Sequence, residues 1–300
     1  MGRNEGKGYK VFTAFNGFFM IFICIIMLFP YLHILAKAFN EGRDASMGGI
    51  TIFPRVFTLE NFKVILSGDT FKNALIVSVA RVVLGVILGL FVQFSAAYAL
   101  TRKKFPGKSF VTLLFAVSMF IHAGMIPTYV LYSQMKLLNS FWVYIFPVLF
   151  SYYNVVIIRT FIQSTIPASL EESALIDGAN EMIIFFKIII PLSKPILATI
   201  ALWIMVTHWN DWTTTLYYIK KPSLFTLQYV MMQIVKESER AQKAVAAALE
   251  TGMDIDNVKN TTSEALSAAQ VVVSTLPIIC VYPFLQKYFV KGITLGAVKG

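Results

Sequence analysis

Apolar residues in this chain gather into six long runs separated by shorter polar segments: Phe12 to Leu35, Ala74 to Leu100, Phe110 to Tyr132, Trp142 to Ile162, Leu192 to Trp212 and Ala268 to Tyr288. A hydrocarbon core roughly 30 Å thick needs about 20 apolar residues in a helix, so the pattern predicts an all-α integral membrane protein with six spans. Ala36-Lys37-Ala38 after the first run imitates a leader-cleavage site. That run is longer than the roughly 7–15 apolar residues of a leader, however, and is expected to stay as an anchor.

Composition agrees with the pattern. The 300 residues are 57% hydrophobic and 14% charged, against roughly a quarter charged in soluble domains. The formal charge of +10 is spread over loops and forms no separate basic domain, which argues against nucleic acid. Its placement orients the chain, because short basic loops favour the cytoplasm. Arg102, Lys103, Lys104 and Lys108 follow the second run, Arg3, Lys7 and Lys10 precede the first, and Lys287, Lys291 and Lys299 end the chain. Both termini are therefore expected inside, with the longer loops 40–72 and 213–266 outside. Cys24 and Cys280 lie in apolar runs and are expected to be inert packing residues, without a disulfide framework. His33, His122 and His208 are far apart and make no metal-binding spacing.

Within the second run Arg81 is expected to snorkel to the headgroups, a water-lined path being the other possibility. Gly85 and Gly89 are spaced for close helix packing. Tyr152, Tyr153 and Asn154, with Trp209, Asn210 and Trp212, join aromatic faces to hydrogen-bonding groups and are candidates to line a path for a sugar; an interfacial belt or core packing accounts for them equally well. Gly107-Lys108-Ser109 resembles the end of a phosphate-binding loop, but Arg102 stands where that loop needs its first glycine. No nucleotide site is expected on this chain.

The loop between the fourth and fifth runs reads Ile166-Pro167-Ala168-Ser169-Leu170-Glu171-Glu172-Ser173-Ala174-Leu175-Ile176-Asp177-Gly178-Ala179. Ser169 and Glu172 have the spacing of a capping box, and Gly178 is placed to end the helix. The expected element is about two turns, roughly 12 Å long at 1.5 Å per residue. A second helical stretch, Glu181 to Ile190, leads through Pro191 and Pro195 into the fifth run.

Glu172-Ser173-Ala174, Gly178 and Ile188-x-Ile190-Pro191 resemble the EAA signature of binding-protein-dependent ABC importer permeases. Ser173 stands for the usual alanine and Ile190 for the usual leucine. Phe57 to Phe62, Ala97 to Leu100, Gly124 to Tyr129, Trp209-Asn210-Asp211-Trp212 and the tail Lys291 to Gly300 resemble its carbohydrate branch, the MalG-like subunits, in particular the LplC and YtcP type. The resemblance implies a type I importer transmembrane fold. It divides the chain into a tail, first span and outer loop (1–71), a five-helix core (72–288) and a cytoplasmic tail (289–300). It implies three kinds of partner: a homologous second permease, two ATPase subunits that hold ATP and Mg, and an extracytoplasmic solute-binding protein. No cofactor and no catalysis belong to this chain. ATPase coupling falls to Glu171, Glu172, Ser173, Ala174, Asp177, Gly178 and Pro191, and the tail Lys291 to Gly300 reaches toward the ATPases. Strong helix formers from Glu237 to Glu250 predict a polar outer helix. The family resemblance implies that Glu239, Lys243, Asp254 and Asp256 meet the binding protein. An amino-acid or peptide permease is the nearest alternative. A secondary transporter would need paired carboxylates or broken helices near the midplane.

Overall fold

The computed structural model describes residues 7–46, 48–67, 69–102, 105–121, 123–250 and 262–297, and among these the regular elements are helices. The chain divides into two compact units, Met1–Gly68 with Met231–Leu276, and Asp69–Val230 with Pro277–Gly300.

In the first unit, α1 (Lys7–Ala38) turns its apolar side chains outward: Phe12, Phe15, Phe18, Ile25 and Met27 are all more than half exposed. A helix satisfies its own backbone hydrogen bonds, so such a surface is stable only in lipid. The loop after it is held by Asn40, which is fully buried. Its Oδ1 accepts from the backbone N–H of Arg55 and Val56 at 2.8 and 2.9 Å, and its Nδ2 donates to Asp44 at 2.8 Å. Asn61, from α3 (Glu60–Leu66), donates to the carbonyls of Ala38 and Asn40. Two buried asparagines thus replace a sheet in ordering this loop. The helix α13 (Leu227–Glu250) contains the polar stretch expected from Glu237 onward, and α14 (Ser263–Ala297) begins in this unit.

The second unit is built on α4 (Asp69–Thr101), packed against α7 (Tyr152–Thr165) and α11 (Lys194–Asn210). Phe94, Ala97, Ile158, Ile162, Ile200 and Ile204 form the centre of its core with Phe185. The glycine spacing in α4 serves this packing. A Cβ on Gly85 would lie 2.3 Å from the His208 ring, and one on Gly89 would lie 3.3 Å from Ile204. Gly85 is there because α11 passes too close for any side chain.

Two of the runs are broken, and a third is preceded by a sharp bend. The run 110–132 is not one helix: α5 (Lys108–Phe120) and α6 (Met125–Gln134) are separated by an extended Ile121 and by Gly124 at φ +80°. Pro127 explains the restart. It has no N–H and its ring crowds the carbonyl four residues back, so it is best accommodated in the first turn of a new helix. The fourth run is two short 3-10 turns, Phe141–Tyr144 and Phe146–Val148, bent 50° from α7. The fifth run is one helix, α11, and the chain bends by 78° where it enters, between Glu181–Leu192 and α11. Before that bend Phe185–Ile189 winds as a π turn, and Pro191 cannot donate to the carbonyl four residues back. Among the described residues three helices are long and apolar enough to cross a membrane, or up to five with each bent pair taken as one span. The apolar α5 is shorter than that length. Cys24 and Cys280 are free and exposed on their helices, not packed within the chain.

Candidate functional site

Two sites occupy opposite ends of α4. At its C-terminal end lies the hairpin of α8 (Ala168–Ile176) and α9 (Glu181–Ile184). The expected capping box is absent. Helix α8 starts two residues earlier than the box requires, with Pro167 at its N-cap and no side-chain cap, so Ser169 lies inside the first turn. Pro167 is already held extended at φ −63°, ψ 134° and sets the start by itself. The C-terminus follows the expectation. Gly178 has φ +80°, its N–H donates to Leu175 at 3.1 Å, and the Ala179 N–H reaches back to Ala174 at 2.9 Å. This is the double bond pattern of a glycine-terminated helix. Asn180 then caps α9, its Oδ1 accepting from Ile183 N–H at 2.9 Å.

The residues expected to couple to an ATPase divide between the two faces of α8. Glu172, Ser173 and Asp177 are exposed, as are the apolar Leu170, Leu175 and Ile176, the last by 86%. Around Gly178 a Cβ would meet nothing within 4 Å. Ala174 is half-buried against the core, and Pro191 is exposed beside the bend. Glu171 turns inward, where it is paired with Arg102. Tyr98 donates to Glu181 at 2.9 Å, and the Arg102 guanidinium lies 4.0 Å above the Tyr98 ring.

Toward the other end of α4, Arg81 does not snorkel. It is 2% exposed, paired with the Asp211 carboxylate, and it donates to the Asp211 carbonyl at 2.9 Å and to His208 Nδ1 at 3.2 Å. His208 Nδ1 is thereby an acceptor and its hydrogen sits on Nε2. Asp211 also accepts from the hydroxyls of Thr213 and Thr214, and the Arg81 guanidinium stands 4.6 Å over the Tyr144 ring. Burial of an arginine is tolerated only with such complete pairing. The sequence carried a usable sign of this cluster, since Arg81 is the lone charge in the run 74–100 and Asp211 the lone acid in the run 192–212. His208 carried none.

A cleft of about 290 Å³ lies beside this cluster, lined by Gln93, Ser151, Asn154, Trp203, Thr207 and His208 among others. Asn154 donates to Gln93 at 2.9 Å, and Gln93 donates to the Leu149 carbonyl at 2.9 Å. A second cleft of about 450 Å³ includes Arg81, Thr128, Tyr132, Tyr144, Thr213 and Tyr217. The two share Pro147 and Val148. Of the six residues proposed from sequence, Asn154 lines the smaller cleft. Tyr153 is exposed and stacks on Trp203 at 6.1 Å. Tyr152 packs on Phe115, Trp209 is buried, Trp212 half-buried and Asn210 exposed, and none of them lines either cleft. Glu239 and Lys243 are exposed on α13; Asp254 and Asp256 lie outside the described residues.

In the second unit, apolar helices that carry two clefts and an exposed helical hairpin at one end of α4 make an architecture suited to a membrane permease. The chain belongs to the family described as binding-protein-dependent transport system inner membrane component, which matches residues 82–295. It is 36% identical to Protein LplC of Bacillus subtilis, covering 98% of this chain and 97% of that one. The polygalacturonan/rhamnogalacturonan transport system permease protein YtcP of the same organism is 34% identical, covering 94% and 96%. Its fold matches a crystal structure of a bacterial ABC transporter involved in the import of the acidic polysaccharide alginate. The TM-score is 0.79 at 25% identity, over 96% of this chain and 100% of that one. The resemblance drawn from the EAA-like loop is thus borne out across nearly the whole chain.

Proposed function

We infer that this chain is a permease subunit of an ATP-binding-cassette importer that carries a sugar or oligosaccharide across the cytoplasmic membrane. ATP is hydrolysed on separate ATPase subunits that grip α8, while a homologous second permease completes the pathway and a solute-binding protein delivers cargo from outside. The six spans read from the sequence would put both termini in the cytoplasm. The observation that supports this most directly is the form of α8: a short helix closed by Gly178, presenting Leu170, Glu172, Leu175 and Ile176 to a partner, with open space where a Gly178 side chain would be. Exposed apolar side chains on a polar loop are stable when another protein covers them. When ATP draws the two ATPases together, the docked hairpin moves with them and the bundle opens to the other side. Sugar hydroxyls find donors and acceptors in the cleft of Gln93, Ser151, Asn154 and Thr207, with Trp203 as a stacking face.

The test is transport by the whole importer in proteoliposomes. Gly178→Asp puts bulk and charge on the docking face without meeting anything in this chain. It is expected to abolish uptake while the complex still co-purifies; uptake at the wild-type rate overturns the coupling assignment. Orientation is checked in a variant lacking Cys24 and Cys280. Cysteine at exposed Phe53 should react with an impermeant thiol reagent in intact cells, and cysteine at Ser109 should not. The reverse pattern refutes the proposed topology.

A further inference from the structure

Arg102 sits one residue beyond α4, between two carboxylates that belong to the two arms of the hairpin. Its Nη1 is bonded to Glu171 on α8. Its Nε lies 3.6 Å from Glu181 Oε2 at the start of α9, within ion-pair range and beyond a hydrogen bond. That same Glu181 oxygen accepts from Tyr98 O–H at 2.9 Å. Nε and Nη2 of Arg102 are buried and make no hydrogen bond among the described residues. A planar guanidinium offers five N–H groups in a rigid fork, and here much of that capacity is unused. The two acids differ in setting: the Glu171 side chain is 17% exposed and that of Glu181 is 58% exposed. One bond is made and sheltered, while the other is open to water and short of contact.

We propose that Arg102 is a two-position latch on the coupling hairpin, bonded to Glu171 in the arrangement seen here and handed to Glu181 when α8 is displaced. This rests on the assignment of α8 as the ATPase-docking helix. The Tyr98 ring under the guanidinium keeps it in place while it pivots, because a cation held over an aromatic face keeps that attraction through small rotations. Glu181 then prevents the transfer from stranding a charge. Each carboxylate favours a different position of α8, so removing one biases the equilibrium toward the other. Arg102 is a positioning residue: it acts through α8 and touches neither ATP nor cargo.

The experiment measures ATP hydrolysis by the whole importer in proteoliposomes without binding protein, after confirming that the subunits co-purify. Glu171→Gln releases α8 and is expected to raise hydrolysis about threefold, a change in keeping with the modest worth of a partly exposed ion pair. Glu181→Gln removes the receiving partner, holds α8 latched, and is expected to lower hydrolysis by a similar factor. The exchange Arg102→Glu with Glu171→Arg keeps the first pair but sets two carboxylates against each other at the second position, so it should lower hydrolysis as Glu181→Gln does. Glutamine keeps the shape of both acids, so these variants carry the test even if a truncation at Arg102 fails to assemble. Opposite signs support the latch, whereas a shift in the same direction, or none, overturns it as a merely structural cluster. Gly178→Asp in the same preparation separates the two ideas. If it changes hydrolysis while the two glutamine variants do not diverge, coupling stands and the latch falls. If Gly178→Asp hydrolyses ATP at the wild-type rate, the docking assignment falls and the latch with it.

Discussion

Two arginines flank the core stretch of α4, Arg81 within it and Arg102 just past its end, about 30 Å apart at 1.5 Å rise per residue, and they are treated in opposite ways. Arg81 is buried and spends its donors on Asp211 and His208, with Tyr144 beneath it. Arg102 is half-buried and bonded to one acid, with a second waiting and two of its nitrogens unbonded among the described residues. A saturated buried pair resists movement, because any displacement leaves an uncompensated charge. An arginine with spare donors and a second partner loses little on moving. On the latch proposed above, the Arg81 end of the bundle is the fixed joint and the hairpin end the moving one.

Several substitutions can break or sharpen that contrast. Truncating one member of the fixed pair, Arg81→Ala or Asp211→Ala, should cost about 3–5 kcal/mol, read as lost thermal stability of the detergent-solubilised complex. The double replacement Arg81→Met with Asp211→Leu should cost less than either single change, because no charge is left behind. Arg102→Ala should cost no more than about 1 kcal/mol, since its ion pairs are partly exposed; equal losses at both ends would erase the distinction. Gly85→Ala follows in size. Its new methyl would collide with the His208 ring, and forcing an extra carbon into a packed site costs about 1–3 kcal/mol. The same assay should show it weakening the fixed end without altering hydrolysis by the assembled complex.

The smallest effects distinguish two caps on the moving hairpin. Asn180→Ala removes a cap whose Oδ1 accepts from Ile183, and should cost about 1 kcal/mol. Ser169→Ala should stay within about 0.5 kcal/mol, because Ser169 caps nothing. A larger loss at Ser169 than at Asn180 would restore the capping box that the geometry denies.

The membrane class, the family and the hairpin were legible in the chain itself because each depends on local chemistry. Runs of about 20 apolar residues have the length to cross lipid, Pro167 and Gly178 limit the backbone where they stand, and the EAA-like residues lie in one short stretch of chain. The capping box misled because two residues can satisfy a spacing while an adjacent proline already sets the helix start. The break at Ile121–Gly124 was signalled by Pro127, but the hydrophobic run hid it: apolar content registers lipid and not backbone continuity. What only the tertiary structure decided is which distant side chains meet. Arg81 finds Asp211 and His208, Gly85 clears space for that histidine, Gln93 meets Asn154, and Arg102 comes between Glu171 and Glu181. Each meeting depends on the rotation and crossing of packed helices. Those are set by the fit of whole surfaces, which no single stretch of sequence contains.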